Sequence, residues 1–179
     1  MEDVAYTVFE TPIGPCAVAW KAAELVAVQL PEANAAATAR RLCARHPGAV
    51  PGSPPRPVQR AIKAMQRLLQ GRGDALANIP LDLSQCGDFC RRVYEIARTI
   101  PAGETLSYGE LAARAGEPRA ARAVGQAMAR NPFPLIVPCH RVLAAHGGAG
   151  GFSARGGVDT KFQLLRIEGA VRQGALPFG

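Results

Sequence analysis

The chain opens on short runs of β-prone residues separated by turn signals. Val4-Ala5-Tyr6-Thr7-Val8-Phe9, Cys16-Ala17-Val18-Ala19-Trp20 and Leu25-Val26-Ala27-Val28-Gln29-Leu30 are strand-like. Thr11-Pro12-Ile13-Gly14 between the first two reads as a turn, because Pro presets φ and Gly tolerates positive φ. The pattern predicts a three-stranded antiparallel meander. The period then changes. Glu32 to Arg45 is Ala-rich and predicts a helix, stopped by His46-Pro47-Gly48. Pro51 to Pro57 holds four prolines and reads as a loop. Val58 to Leu69 predicts an amphipathic helix with Ile62, Met65, Leu68 and Leu69 on one face, closed by Gly71. Ile79 to Leu83 is a short extended piece.

A second unit is expected from about Ser84. Phe89, Val93, Ile96, Ala97 and Ile100 recur at helical spacing, so a helix is predicted over Asp88 to Ile100, ended by Pro101-Ala102-Gly103. Ser107-Tyr108-Gly109-Glu110 fits a capping box, in which the Ser side chain and a Glu three residues on satisfy two orphan amides. A short helix should follow over Tyr108 to Ala115. Gly116-Glu117-Pro118 makes a turn, and a second helix is expected from about Pro118 to Arg130. Helix, short Gly-containing turn, helix is the layout of a helix-turn-helix as well as of an ordinary αα-hairpin. Arg114, Arg119, Arg122 and Arg130 stand against only Glu110 and Glu117 there, which favours a nucleic-acid partner. The second helix is rich in Ala and Gly. Small residues suit close approach to a groove and equally suit tight helix packing.

Composition narrows the field. The 179 residues are 48% hydrophobic and 20% charged, a globular balance that excludes a disordered chain. No apolar stretch approaches the roughly 20 residues of a membrane span. Met1-Glu2-Asp3 does not begin a secretory leader, so a cytoplasmic protein is expected, nucleoid-associated if the source is bacterial. The net charge of +7 favours an anionic partner. Basic residues are mostly Arg; Lys stands only at Lys21, Lys63 and Lys161. Five unevenly spaced cysteines argue against a disulfide framework and predict free thiols. Cys86 and Cys90 lack a second pair, and Cys16, Cys43 and His46 make no convincing ligand set, so no metal is expected.

The chemistry concentrates in Asn131-Pro132-Phe133-Pro134-Leu135-Ile136-Val137-Pro138-Cys139-His140-Arg141-Val142. Three prolines stiffen this segment, and Leu135-Ile136-Val137 must be buried. Cys139 therefore follows a rigid apolar stretch, with His140 and Arg141 beside it. A reactive thiol needs a lowered pKa, which a positive field supplies. A Cys beside a His in sequence is otherwise weak evidence, since most cysteines are inert core residues.

Ile100-Pro101-Ala102-Gly103-Glu104-Thr105-Leu106-Ser107-Tyr108-Gly109-Glu110-Leu111-Ala112, then Ala121-Arg122-Ala123-Val124-Gly125, then Asn131-Pro132 and Pro138-Cys139-His140-Arg141-Val142 resemble the 6-O-alkylguanine-DNA alkyltransferases, also called methylated-DNA–protein-cysteine methyltransferases. The resemblance is close from about Asp88 to Ala170; the N-terminal part is similar only in layout. It implies an α+β fold: a ribonuclease-H-like N-terminal domain over residues 1–83, and a mostly helical alkyltransferase domain of winged helix-turn-helix type over 84–179. It implies DNA repair by direct reversal. The monomeric protein would bind alkylated double-stranded DNA through the minor groove and flip the damaged guanine out. It would move a methyl or larger alkyl group from the guanine 6-oxygen to Cys139 in a single turnover, and 4-O-methylthymine is a further substrate the family allows. Physical chemistry agrees. Displacement at an sp³ carbon wants a soft nucleophile, the target atom is unreachable inside the stack, and a protein acceptor needs no cofactor.

The resemblance also implies roles. Cys139 would be the acceptor, His140 the base acting through a water, Glu168 the acid orienting the imidazole, and Asn131 the hinge of the loop. Arg122 would be the finger entering the stack. Tyr108 would help rotate the target phosphate and donate towards the guanine ring. Ala121, Gly125 and Arg130 would meet DNA. Tyr108, Met128, Pro134, Val142, Phe152 and Ser153 would form the pocket, with Phe152 where many members of the family carry Tyr. Two rivals are weaker. A damage sensor of similar sequence would lack the reactive Cys, which is present here. A cysteine hydrolase using Cys139, His140 and Glu168 would want a Gly-bordered nucleophile elbow, which is absent.

Overall fold

The computed structural model describes residues 3–170. Those residues divide into two compact units: the chain up to Ser84 together with Pro132–Pro134, and Gln85–Asn131 with the chain from Leu135 onward.

In the first unit the meander forms as the pattern predicts. β1 (Ala5–Thr11), β2 (Gly14–Lys21) and β3 (Glu24–Gln29) pair antiparallel in that order. The β1–β2 register brings Thr11 opposite Gly14, whose φ of +119° suits only glycine, and the Thr11 hydroxyl donates to the Gly14 carbonyl at 2.6 Å. A fourth strand that the pattern does not announce, β4 (Val50–Pro51), runs parallel to β1 and sets the sheet order β3-β2-β1-β4. Two residues are too few to show a period.

Between β3 and β4 lies α1 (Ala35–Arg45), which starts later than the expected Glu32. Asn34 is its N-cap, accepting from the Ala37 amide, so the preceding residues stay extended. Leu42 of α1 packs on Ala17, Ala19 and Ala27, all without solvent exposure. Thr38, also buried, donates to Pro15 and accepts from the Glu32 amide. Helix α2 (Arg56–Leu69) begins two residues before the expected Val58, with Pro57 in its first turn, where a missing amide costs nothing. Its buried side is Val58, Ala61, Met65, Leu68 and Leu69. The 79–83 segment adds one parallel bridge, Leu25 with Leu81.

The second unit is mostly helical. α3 (Asp88–Ala97) stops three residues before the expected Ile100. Its Tyr94 is buried, and the hydroxyl donates to the Ala127 carbonyl at 2.9 Å. A two-residue strand β5 (Leu106–Ser107) leads into α4 (Tyr108–Arg114), and both halves of the capping box are formed. α5 (Ala121–Ala129) begins three residues after the expected Pro118, because Glu117 to Ala120 close a turn of their own. Pro118 therefore lies within that turn and does not begin a helix. A 3₁₀ turn, Cys139–Arg141, runs into β6 (Val142–Leu143), which pairs parallel with β5, and a second 3₁₀ turn follows at Ala145–Gly147. The last element among the described residues, α6 (Val158–Ile167), follows a Gly-rich loop and is not among the elements the sequence pattern predicts. No helix among the described residues is long and apolar enough to cross a membrane.

Candidate active site

The reacting segment is held from both ends of its loop. α5 ends at Arg130, and the Asn131 side-chain amide donates to the Val137 carbonyl at 2.8 Å, closing the Leu135–Val137 loop into a fixed arc. Leu135, Ile136 and Val137 are buried, as their apolar character requires. Leu135 keeps a φ of +74°, an uncommon state for a branched residue that the surrounding packing must enforce. Cys139 then starts the 3₁₀ turn. Its own backbone amide and that of His140 support the sulfur, as does the Asn131 side chain.

Cys139 is 7% exposed and lies on the wall of a cavity of about 590 Å³. Tyr108 of α4, Ala121, Gly125 and Met128 of α5, and Phe152 with Ser153 of the loop before α6 border the same space. Arg122 lines it too, and its side chain is exposed. A Cβ added at Gly125 would meet nothing within 4 Å, so this glycine opens the helix face to the outside and does not admit a neighbouring helix.

Burial pushes the Cys139 thiol up, and this outweighs the lowering by Asn131, the Lys161 ammonium and the two amides. The resting group is therefore a thiol, and a base must take its proton. His140 is fully buried. Its Nε2 lies 2.7 Å from Glu168 Oε1. Glu168 also accepts from Arg141 Nε at 2.9 Å and from a terminal guanidinium nitrogen at 2.8 Å, and Arg141 further donates to the Ile100 carbonyl. Burial alone would raise the Glu168 pKa, but hydrogen bonds and charge from His140 and Arg141 bring it down to about 2. Glu168 is thus an anion and can only accept, so the His140 proton sits on Nε2 and Nδ1 keeps a free lone pair. Burial, the larger effect, lowers the imidazole pKa against the upward pull of Glu168, so His140 is neutral and can receive a proton. Nδ1 is buried with no hydrogen-bond partner among the described residues.

The sequence did not single out Lys161. Its side chain is fully buried, and its ammonium donates to the Val142 carbonyl at 2.7 Å and the Ala149 carbonyl at 2.6 Å. It sits 5.8 Å from the centre of the Tyr108 ring. Burial lowers its pKa to about 8, while the charge of Cys139 pulls upward. Lys161 therefore ties the pocket loop to β6 and puts a cation near the sulfur. A readable signal existed: Lys161, Leu164, Leu165 and Glu168 follow the i, i+3, i+4, i+7 spacing of one helical stripe, so two charged residues flank an apolar pair on one face.

The structure gathers Cys139, His140, Glu168 and Asn131 into one network, and Tyr108, Ala121, Arg122, Gly125, Met128, Phe152 and Ser153 around one cavity. Pro134 and Val142, expected in the pocket, are not on its wall. Val142 is buried where β6 pairs with Leu106, and Pro134 belongs to a segment that joins the first unit, where the Pro132 carbonyl accepts from Val28. Arg130 is exposed at the end of α5 and does not border the cavity. Among the described residues no three His, Cys, Asp or Glu side chains gather to hold a metal ion.

Residues 88–170 match the family model described as 6-O-methylguanine DNA methyltransferase, DNA binding domain. A methylated-DNA–protein-cysteine methyltransferase of Methanothermobacter thermautotrophicus is 42% identical over 123 residues, which are 68% of this chain and 67% of that one. One of Mycobacterium bovis is 36% identical over 92% of both chains. The mycobacterial OGT from Mycobacterium tuberculosis, solved in complex with DNA, superposes with a TM-score of 0.75 at 34% identity over 93% of each chain. The mixed α+β architecture, the reacting segment and these likenesses agree, and the chain belongs to the methylated-DNA–protein-cysteine methyltransferase family.

Proposed function

We propose that this protein repairs DNA by direct reversal, moving an alkyl group from the 6-oxygen of a flipped guanine to Cys139 in one irreversible turnover. The observation that carries the reading is the placement of the Cys139 sulfur on the wall of a cavity within the size range of small-ligand sites, beside a neutral imidazole whose far nitrogen is fixed by an ionised carboxylate.

His140 Nδ1 takes the thiol proton through one water, and Glu168 stabilises the imidazolium that forms. The new thiolate attacks the alkyl carbon; the carbon–oxygen bond breaks, its electron pair stays with the guanine, and a thioether remains on Cys139. Asn131, the two backbone amides and Lys161 support the sulfur while it carries charge. Tyr108 donates towards the guanine ring as negative charge builds there. Arg122 fills the stack left by the base, whose extrusion costs a few kcal/mol. Ala121 and Gly125 let α5 come close to the minor groove, and Arg130 meets a phosphate. Met128, Phe152 and Ser153 shape the pocket. The partner is double-stranded DNA carrying an alkylated guanine, the protein acts as a monomer in the cytoplasm, and no cofactor takes part. We assign residues 1–83 to a ribonuclease-H-like domain and 84–179 to a winged helix-turn-helix alkyltransferase domain, with the α4–α5 pair as the DNA-reading element.

Intact mass after mixing with an oligonucleotide carrying 6-O-methylguanine tests this. The expected result is one added methyl per protein, mapped to Cys139 and absent in Cys139→Ser. DNA binding with no mass change would overturn it in favour of a damage sensor.

A further inference from the structure

Helix α2 carries charge that the repair chemistry does not use. Arg56, Arg60, Lys63 and Arg67 recur at i, i+4, i+7 and i+11, so they form one stripe, and the helix contains no acidic residue. Like charges at these spacings disfavour a helix. All four side chains are exposed, and none enters an ion pair among the described residues. The opposite side of α2 is the buried one, so the stripe is not required by packing.

Arg60, Lys63 and Arg67 border a groove of about 520 Å³ within the first unit. Its other boundary is the 75–80 segment, with Ile79 and Pro80, and its remaining lining is largely Ala and Pro. No carboxylate lines it. The groove therefore joins an apolar floor to a row of unpaired cations. A nucleic-acid backbone would satisfy the cations and leave the floor wet. A peptide that alternates acidic and apolar side chains would satisfy both.

The dimensions agree with that occupant. Arg60 to Arg67 spans seven residues of helix, roughly 10 Å at 1.5 Å per residue. An extended peptide covers that length with about three residues, and its side chains two apart lie roughly 6.7 Å from each other on one side. Lys63 and Arg67 are about 6 Å apart along the helix axis. Two carboxylates in alternate positions can thus meet two cations, while the residue between them turns its side chain the other way.

We propose that this groove docks an extended segment of a partner protein in which acidic residues alternate with apolar ones. The proposal is independent of the chemistry at Cys139. Fluorescence anisotropy of a labelled Glu-Leu-Glu-Leu-Glu peptide with the full chain tests it, with Lys-Leu-Lys-Leu-Lys as control. Saturable binding of the acidic peptide is expected, weakening at least tenfold in the double variant Arg60→Glu/Arg67→Glu, with no binding of the basic peptide. Both side chains are exposed, and a matching Arg60→Gln/Arg67→Gln variant, checked for an unchanged melting temperature, should show the same direction with a smaller loss. Methyl transfer to Cys139 should be unchanged in both variants. Equal peptide affinity in wild type and variants would overturn the proposal. So would failure of the peptide to bind while the same variants lose affinity for undamaged duplex DNA, which would assign the groove to nucleic acid.

Discussion

In the first unit the buried side chains are almost all apolar; Gln29 and Thr38 are the polar exceptions, and both are neutral. In the second, His140, Arg141 and the Glu168 carboxylate are withdrawn from water in one hydrogen-bonded network, and the Lys161 ammonium is buried against the Val142 and Ala149 carbonyls. The first unit keeps its many cations outside, as on α2. Burying ions is costly unless each is paired and hydrogen-bonded, and buried ion pairs are weak evidence of stability. The contrast therefore separates two uses of a core. One holds a sheet and its helices together by excluding water. The other spends stability to fix the protonation state of one imidazole beside one sulfur.

The largest expected effect on folding comes from the apolar side. Leu42→Ala removes a fully buried side chain packed on Ala17, Ala19 and Ala27 and should cost about 2–5 kcal/mol by denaturant unfolding. The methyl-transfer rate per folded molecule should not change. A matching loss of rate would show that the two cores are not separate in use.

Glu168→Gln tests the charged core and should cost roughly 3 kcal/mol at neutral pH. The sign follows from the depressed carboxyl pKa. A group held at about 2, against an ordinary value of 4.5, contributes stability that is present above pH 4.5 and lost as pH falls through 2. Acid unfolding of the wild type should steepen in that window, and the variant should be flatter. Identical acid profiles would mean that His140 and Arg141 do not hold the carboxylate ionised.

Lys161→Met should slow methyl transfer by roughly tenfold to a hundredfold, about 1.4–2.7 kcal/mol, measured in single turnover. The Lys161 pKa is lowered to about 8 from 10.5. Between those values the unfolded chain binds more protons, so wild-type stability should rise with pH from 8 towards 10.5, and this rise should vanish in the variant. Transfer at the wild-type rate would confine Lys161 to tying the loop to β6.

The same contrast governs what the sequence discloses. The meander was readable because its turn carries its own chemistry in Pro12 and Gly14, and α4 because Ser107 and Glu110 cap it within four residues. β4, β5 and β6 have two residues each and depend on partners distant in sequence, so no local period marks them. α6 was hidden for a different reason. Its buried stripe carries Lys161 and runs on to Glu168 at its C-cap, charged residues that a hydrophobicity pattern counts as solvent-facing, and the Gly-rich loop before it offers no side-chain cap. Cys139 beside His140 stood out in a stiff apolar loop, but their roles, and Glu168 altogether, were legible only through resemblance, since 28 residues separate His140 from the carboxylate that orients it.

Gly125 offers the smallest energy and the sharpest separation of the two demands within one helix. A glycine inside a helix costs roughly 0.5–1 kcal/mol relative to alanine. Nothing lies within 4 Å of the position a Cβ would take, so packing does not require glycine there. Gly125→Ala should raise the stability of the protein by about that amount, read as a higher melting temperature. Gly125→Leu should keep the fold, yet its side chain would project from α5 at the rim of the cavity that Cys139 shares. Affinity for duplex DNA carrying 6-O-methylguanine should then fall, while reaction with free 6-O-benzylguanine, which needs no duplex against α5, should fall less. A leucine variant that binds the duplex as tightly as the wild type would remove α5 from the DNA-facing surface, and the reason for a helix of small residues would return to packing.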